Sequence, residues 1–147
     1  NYMVLKGLET RGYEALAYDI AKNSLDCVVK TFNQTGTLWE NYAPEYAGKG
    51  ERAKDAFVGW SGLFPISVML EYVFGIRPYA REKKIVWHIN LTEEHGIKDY
   101  PLGDLTVDLL CKARASADDE PEIEFSSTAP ITLEVHFDDK VKFLKSE

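Results

Sequence analysis

The spacing of apolar residues changes from a helical to a strand period near Pro78, and this change constrains the fold more than any other feature. Between Tyr13 and Phe32, apolar residues recur every three or four positions, which is the period of an amphipathic helix. After Pro78, apolar and polar residues alternate, as in 84–89 and 131–137, which is typical of strands with one solvated face. The chain is therefore predicted to be α+β, with helices first and an antiparallel meander second.

The helical part is predicted to contain three helices and one long loop. A first helix covers residues 2–8, and the second ends at Gly36, because glycine accepts the left-handed conformation that closes helices. Residues 37–60 are interpreted as an ordered loop, and a loop of this length inside a domain is usually functional. Residues 63–74 are apolar almost throughout, so we expect a helix that is buried on nearly all sides and closed by Gly75 and Pro78.

The charge balance excludes one class of partner. The 147 residues carry 24 acidic and 17 basic side chains, which gives a formal net charge of −7. Binding to nucleic acid requires clustered lysine and arginine against the phosphates, so we expect no nucleic-acid partner. No apolar run reaches the roughly 18 residues that a membrane helix needs, so no membrane partner is expected either.

The residues that most often bind metals are scattered in this chain. Cys27 falls in a helical pattern and Cys111 in a strand pattern; we expect each to be a buried free thiol, although a disulfide between them stays possible. No cysteine and histidine cluster has the spacing of a zinc site. His88, His95 and His136 are far apart and are interpreted as strand or turn residues. We therefore predict no metal and no other cofactor.

The densest candidate site is the segment 36–45, in which Glu40 lies between Trp39 and Tyr42 and beside Asn41. Aromatic faces that pack on a pyranose ring, together with a carboxylate and an amide that bind hydroxyls or water, are what a sugar site requires. The same composition also fits a surface loop with a half-buried aromatic anchor. Composition alone favours that simpler interpretation.

A second candidate is the segment 57–62, which reads Phe-Val-Gly-Trp-Ser-Gly. Glycine on either side of Trp60 lets the backbone approach a ligand closely, and Ser61 is placed to cap the following helix. Core packing of Phe57 and Trp60 is the stronger alternative when this segment is considered alone. Ser61 does not have the spacing of a nucleophile elbow, and residues 48–50 do not have that of a phosphate-binding loop.

Taken together, the two segments resemble the base-bearing region of clan G glycosidases, which include family 37 trehalases and family 63 α-glucosidases with their mannosylglycerate-hydrolase-like bacterial relatives. Glu-Asn-Tyr-Ala-Pro begins at Glu40, a glycine-containing stretch follows, and Phe-Val-Gly-Trp-Ser begins at Phe57 before an apolar helix. This order is closer to the family 63 pattern than to the trehalase pattern. The resemblance extends over residues 1–78 and is weaker over 79–147.

The resemblance implies a fold and a reaction. Residues 1–78 would be the last helices of an (α/α)6 catalytic toroid, and 79–147 a C-terminal antiparallel β domain. The implied reaction is hydrolysis of an α-glycosidic bond with inversion, in which one carboxylic acid protonates the leaving oxygen while a carboxylate activates water. Glu40 matches the base. The acid, an aspartate well upstream in these families, is absent here, so the chain is expected to be an inactive C-terminal fragment of a longer enzyme.

The resemblance also implies the residues that contact the sugar. Trp60 and Phe57 match residues close to the ring, and Tyr42 matches a tyrosine that orients the base. With Trp39 and Asn41 from the residue pattern, these five are the predicted substrate-binding residues.

The expected partners are an oligosaccharide or disaccharide substrate and the missing N-terminal part of the same enzyme. The compartment is left open, although a periplasmic or secreted location fits full-length bacterial relatives. The trehalase glycine-rich loop is replaced by residues 47–52, so trehalose specificity does not follow. The alternative is a non-catalytic carbohydrate-binding or structural module. That alternative would be favoured by a buried, fully bonded Glu40 with Trp39 and Trp60 in a core.

Overall fold

The computed structural model describes residues 1–55 and 57–146 and divides into two compact units. A helical unit comprises Asn1–Val73, and a β unit begins at Phe74. This arrangement confirms the predicted α+β class, with helices first and strands second. Ala56 and Glu147, which fall within the two predicted domains, lie outside the described residues.

In the described part of the helical unit there are three α-helices, α1 (Tyr2–Glu9), α2 (Glu14–Thr35) and α3 (Phe64–Val68). α2 ends as predicted at Gly36, whose φ of 74° lies in the left-handed region that glycine tolerates. A 3-10 helix, Gly59–Gly62, precedes α3, and a π-helical turn, Met69–Val73, follows it. The single helix predicted over 63–74 is therefore α-helical only over Phe64–Val68 and continues as a π-helical turn over Met69–Val73.

The burial of the apolar stretch 63–74 also differs from the prediction. Val68 and Tyr72 are buried, but Leu63 is 70% exposed and Ile66 is 55% exposed. The core of this unit is small and includes alanines from α2, so it covers one face of each helix and leaves other apolar side chains outside. The same limit applies to α2, where Ala17, Ala21, Val28 and Thr31 are buried, while Leu16 and Phe32, which belong to the apolar pattern of this helix, are exposed.

A polar network joins α1 to the π-helical turn. The Tyr2 hydroxyl donates to both carboxylate oxygens of Glu71, at 2.7 and 2.8 Å, and the Tyr72 hydroxyl donates to Glu9 at 3.0 Å. Lys6 Nζ lies 2.8 Å from Glu9 and 3.3 Å from Glu71 and so bridges the two carboxylates. Burial alone would lower the pKa of Lys6, but the hydrogen bonds and negative charges of Glu9 and Glu71 outweigh it and raise the pKa.

The described residues of the β unit form seven strands in two sheets. The strands are β1 (Ile76–Tyr79), β2 (Lys84–His88), β3 (His95–Leu102), β4 (Leu105–Cys111), β5 (Ile123–Ser127), β6 (Thr132–Phe137) and β7 (Lys140–Lys145). One sheet has the order β1-β2-β6-β7 and the other β3-β4-β5. Every pairing is antiparallel except β2 with β6, which is parallel. The predicted simple meander is wrong at this pair, because the chain enters the second sheet before it returns.

Pro78 lies inside β1 and does not close a helix, as the sequence had suggested. β1 is an edge strand, where the missing proline N–H costs no ladder hydrogen bond. Gly75, with φ of 73°, passes so close to β2 that a Cβ atom would lie 1.9 Å from the His88 carbonyl oxygen. The change of period therefore corresponds to the entry into a sheet.

The two sheets pack face to face around one apolar cluster. Trp87 and Leu133 contribute from the first sheet, and Val107 and Leu109 from the second. The indole N–H of Trp87 donates to the carbonyl oxygen of Phe74 at 2.8 Å, so this buried ring keeps its hydrogen bond. The alternating burial of β4 and β6 follows directly from this packing.

Both cysteines are free thiols, but only one of them matches the predicted burial. Cys111 is buried in the β unit, and Cys27 is exposed on α2. Cys27 is not part of the small helical core, to which α2 contributes Ala17 and Ala21. Within residues 1–55 and 57–146, no helix is long and apolar enough to cross a membrane.

Candidate functional site

Trp39 anchors the start of the loop that carries Glu40. The indole is only 7% exposed, and its N–H donates to the Thr35 hydroxyl at 3.0 Å. Lys49 Nζ lies 4.8 Å from the ring centroid, which is within the range of a cation–π contact. This placement makes Trp39 a structural anchor and does not favour the expected stacking on a sugar.

Residues 41–50 close on themselves into a small antiparallel turn. The Ala43 N–H donates to the Gly48 carbonyl, and the Gly50 N–H donates to the Asn41 carbonyl, each at 3.0 Å. A Cβ atom on Gly50 would lie 1.9 Å from Asn41 Oδ1, so the amide side chain packs directly over the glycine backbone. Asn41 therefore holds the turn, in addition to the substrate contact predicted for it.

Two side chains hold the main chain at and near Glu40, one on the Leu38–Trp39 peptide group and one on the Glu40–Asn41 peptide group. The Trp39 N–H donates to the Tyr42 hydroxyl at 3.1 Å, and the Glu40 carbonyl accepts a hydrogen bond from Ser61 Oγ. Glu40 itself is half-buried. Among the residues that the structure describes, none donates a hydrogen bond to its carboxylate or forms an ion pair with it. The main chain at Glu40 is thus fixed while the carboxylate stays available.

Gly59 brings the second candidate segment next to Glu40. A Cβ atom on residue 59 would lie 3.4 Å from Glu40 Cγ and 3.3 Å from Phe57 Cε1. Its φ of 59° lies in the left-handed region that favours glycine. The structure therefore brings Glu40 next to Phe57 and the Gly59 turn, although Glu40 lies in a different segment of the sequence.

Trp60 and Phe57 are not core residues. The Trp60 side chain is 93% exposed and that of Phe57 is 48% exposed. The alternative of simple core packing is therefore wrong for Trp60 and does not describe Phe57 well. An exposed indole in the turn that contacts Glu40 leaves an aromatic face open to a ligand.

Ser61 does not cap a helix. α3 begins at Phe64, its N-cap is Leu63 without a side-chain hydrogen bond, and Pro65 occupies the first turn. The Ser61 hydroxyl instead reaches back 21 positions to the Glu40 carbonyl. Neither Ser61 nor Gly59 was among the predicted site residues, since no local pattern reports a contact over this sequence distance.

The β unit has an open groove of about 640 Å³ over its three-stranded sheet. It is lined by Glu94, His95, Gly96, Ile97, Lys98, Asp108, Leu109, Leu110, Glu124, Phe125 and Ser126. Its aromatic lining residues contact other parts of the β unit: His95 is buried with its ring edge-on to Trp87, and Phe125 packs against the apolar core. The groove therefore lacks an exposed ring, among its described lining residues, on which a sugar could stack.

The histidines of the β unit do not form a metal centre with their neighbours. His88 and His136 stack across β2 and β6 with ring centroids 4.4 Å apart, and His136 Nε2 lies 2.7 Å from Glu134. In the described part of the chain, no three histidine, cysteine or acidic side chains are arranged to hold a metal ion. Parallel pairing brings the two histidines together despite their distance in sequence.

Comparisons with known proteins find a family whose sequence model matches most of the helical unit. The sequence model described as the glycosyl hydrolase family 63 C-terminal domain matches residues 1–71. A probable mannosyl-oligosaccharide glucosidase of Schizosaccharomyces pombe is 34% identical over 71 residues, which cover 48% of this chain and 8% of that protein. An uncharacterized protein of Borreliella burgdorferi is 28% identical over 122 residues, which cover 76% of this chain and 26% of that protein.

The chain thus spans about a quarter of the length of one relative and less than a tenth of the other. No solved structure matches it significantly. The family match contains Glu40, Trp60 and Ser61 and ends within the π-helical turn, before the β unit begins. Residues 1–71, just under half of the chain, are therefore similar to the glycosyl hydrolase family 63 C-terminal domain.

Proposed function

We propose that this chain is the base-bearing part of an inverting glycoside hydrolase that acts on α-glycosidic bonds. Glu40 is the general base of that reaction. The observation that carries the proposal is the held main chain at Glu40, whose carboxylate has no partner in the described residues and lies beside an exposed aromatic turn. The family 63 match over residues 1–71 supports the same reaction class.

In the proposed reaction, the Glu40 carboxylate removes a proton from a water molecule as its oxygen attacks the anomeric carbon. A carboxylic acid on the opposite side of the sugar protonates the leaving oxygen as the glycosidic bond breaks. Inverting enzymes hold the two carboxyl groups roughly 6.5–9.5 Å apart to leave room for the water. The half-buried but unpaired Glu40 suits the role of base, because a base must be ionised when the water attacks.

Trp60 and Phe57 are the proposed contacts to the sugar ring. Their exposed aromatic surface lies in the turn that touches Glu40, so a ring packed there would bring its anomeric carbon near the carboxylate. Tyr42 holds the Trp39 N–H and so orients Glu40 through the main chain. Trp39 and Asn41 hold the conformation of the loop that carries Glu40 and so contribute to substrate binding indirectly.

The general acid is proposed to come from outside this chain, in the longer enzyme, as the family resemblance implies. On the same proposal the helices of residues 1–78 complete a helical toroid with preceding segments, and residues 79–147 form an appended β domain. The similarity to the probable mannosyl-oligosaccharide glucosidase of Schizosaccharomyces pombe favours a glucosyl residue on an oligosaccharide as the substrate class. The isolated 147-residue chain should then hydrolyse nothing.

Replacement of Glu40 by glutamine in the full-length enzyme tests the proposal. Glu40→Gln keeps the size of the side chain but cannot accept the proton, so kcat should fall by about 10²–10⁴-fold with little change in substrate binding. Glu45→Gln is the matched control, because Glu45 is an exposed carboxylate of the same loop. α-Glucosyl fluoride is a suitable substrate, since fluoride leaves without protonation and the measurement then isolates the base. Wild-type turnover by Glu40→Gln would remove Glu40 from the mechanism.

The alternative function is a non-catalytic carbohydrate-binding or structural module. This alternative requires a buried, fully bonded Glu40 and both tryptophans in a core. Glu40 is only half-buried and Trp60 is exposed, so these two residues do not meet the requirement. The groove of the β unit is the remaining candidate for such a module, and it offers no exposed aromatic face among its described residues. Saturable binding of an oligosaccharide by this chain that survives Trp60→Ala and Glu40→Gln would favour the alternative.

A further inference from the structure

Ser61 and Glu40 make a contact that the proposed reaction does not yet use. Ser61 Oγ donates a hydrogen bond to the carbonyl oxygen of Glu40, across 21 positions of sequence. The hydroxyl has no capping role, because α3 begins later at Phe64 with Leu63 as its N-cap. A side chain that leaves its own helix to bond one particular peptide group fixes the position of that group.

Three restraints therefore meet at Glu40. The Tyr42 hydroxyl accepts a hydrogen bond from the N–H of the preceding residue, Trp39, Ser61 holds the Glu40 carbonyl, and the Gly59 turn lies against the Glu40 side chain at Cγ. Of these, the Ser61 bond acts on a peptide group attached directly to the Glu40 α-carbon, so rotation of that group would move the Glu40 side chain relative to the Gly59 turn. The carboxylate has no partner of its own in the described residues, so its position depends on these main-chain restraints.

We propose that Ser61 is a positioning residue for Glu40: its hydroxyl holds the Glu40 carbonyl so that the carboxylate points where the attacking water is bound. This inference rests on the proposed function of Glu40 as the general base. Ser61 does not touch the substrate or the reacting atoms and acts only through the main chain of Glu40. A misplacement of about 1 Å at a reacting group can lower a rate by about 10²-fold, so one such hydrogen bond can matter for catalysis.

The experiment uses the full-length enzyme with Ser61→Ala, Glu40→Gln and the double variant, assayed on α-glucosyl fluoride. Ser61→Ala should lower kcat by about 10- to 100-fold while KM changes by less than about twofold. In the Glu40→Gln background the same substitution should have almost no effect, because the carboxylate that it positions is gone. Ser61→Thr keeps the hydroxyl and should restore most of kcat.

Thr10→Val is the matched control. It removes another hydroxyl-to-carbonyl hydrogen bond of the helical unit, from Thr10 Oγ1 to the Gly7 carbonyl at 2.9 Å, and should leave kcat unchanged because it lies outside the Glu40 loop and the Gly59 turn. Circular dichroism melts of every variant separate loss of folding from loss of positioning. Should Ser61→Ala not fold, Ser61→Cys keeps the volume with a much weaker donor and gives the same comparison.

Each outcome decides the inference. Wild-type kcat in Ser61→Ala, or an equal loss in both backgrounds, overturns the positioning role and leaves Glu40 as the base. Failure of both Ser61→Ala and Ser61→Cys to fold while Ser61→Thr folds shows that the hydrogen bond is structural, and also overturns it. Wild-type activity in Glu40→Gln removes the proposed function itself, and the role of Ser61 falls with it.

Discussion

Trp39, which precedes Glu40 in the sequence, and Trp60, which follows the Gly59 contact to Glu40, have opposite environments, with 7% of the first residue exposed and 93% of the second. Trp39→Ala should lower the free energy of unfolding by about 3–5 kcal/mol, the usual effect of removing a large aromatic side chain from a core. Trp60→Ala should change it by less than about 0.5 kcal/mol, because an exposed side chain loses little packing. Urea denaturation of both variants measures the difference, and equal effects would contradict the structure.

Trp60 should matter for catalysis where it does not matter for stability. If its exposed indole packs on the sugar, Trp60→Ala in the full-length enzyme removes an aromatic contact worth about 0.5–1.5 kcal/mol and lowers kcat/KM by about 2- to 10-fold. Trp60→Phe should retain part of the effect because it keeps an aromatic face. An unchanged kcat/KM in Trp60→Ala would place the sugar elsewhere.

The Lys6 network should make stability sensitive to alkaline pH. The carboxylates of Glu9 and Glu71 raise the pKa of Lys6 against the opposing effect of burial. A group whose pKa is higher in the folded state contributes stability below its unfolded pKa and loses it as the pH rises through the folded pKa. The free energy of unfolding should therefore decline from about pH 10 upward.

Lys6→Met is the control that isolates this effect, because other lysines of the chain also titrate at high pH. Its free energy of unfolding should fall less between about pH 9 and about pH 12 than that of the wild-type chain. Parallel pH profiles for the two proteins would show that the charge of Lys6 contributes nothing to the network.

The two thiols should react at different rates. Cys27 is exposed, whereas burial raises the pKa of Cys111 and outweighs the opposing charge of Arg114. Since the thiolate is the reactive form, a disulfide reagent should modify one thiol rapidly in the native chain and two in denaturant. Cys27→Ser should abolish the rapid phase. Two rapid equivalents in the native wild-type chain would contradict the burial of Cys111.

The sequence predicted those features that depend on local order. The change of hydrophobic period marked the transition to strands, and Gly36 ended α2 because its conformation is set by a single residue. Glu40 was singled out by its immediate neighbours, and the structure leaves its carboxylate accessible and without a partner in the described residues.

The missed features depend on contacts between distant residues. Nothing near Ser61 indicates that its hydroxyl reaches Glu40, and nothing near Trp39 indicates that Thr35 and Lys49 enclose it while Trp60 stays outside. The burial of residues 63–74 was overpredicted for a related reason. Hydrophobicity shows what a helix can bury, whereas the number of neighbouring elements decides what it does bury.

The parallel pairing of β2 with β6 has a consequence for the order in which the β unit folds. The β1–β2, β3–β4, β4–β5 and β6–β7 pairs join sequence neighbours and close short loops, whereas β2 pairs with β6 across the three strands between them. Closing the longer loop carries a larger entropy penalty before any contact is gained, so we expect it to be the slow step. Pulse-labelling hydrogen exchange during refolding should find amides of β4 protected before that of Ile89, which donates to the His136 carbonyl at the β2–β6 pair. The parallel pair would then join antiparallel segments that have already formed.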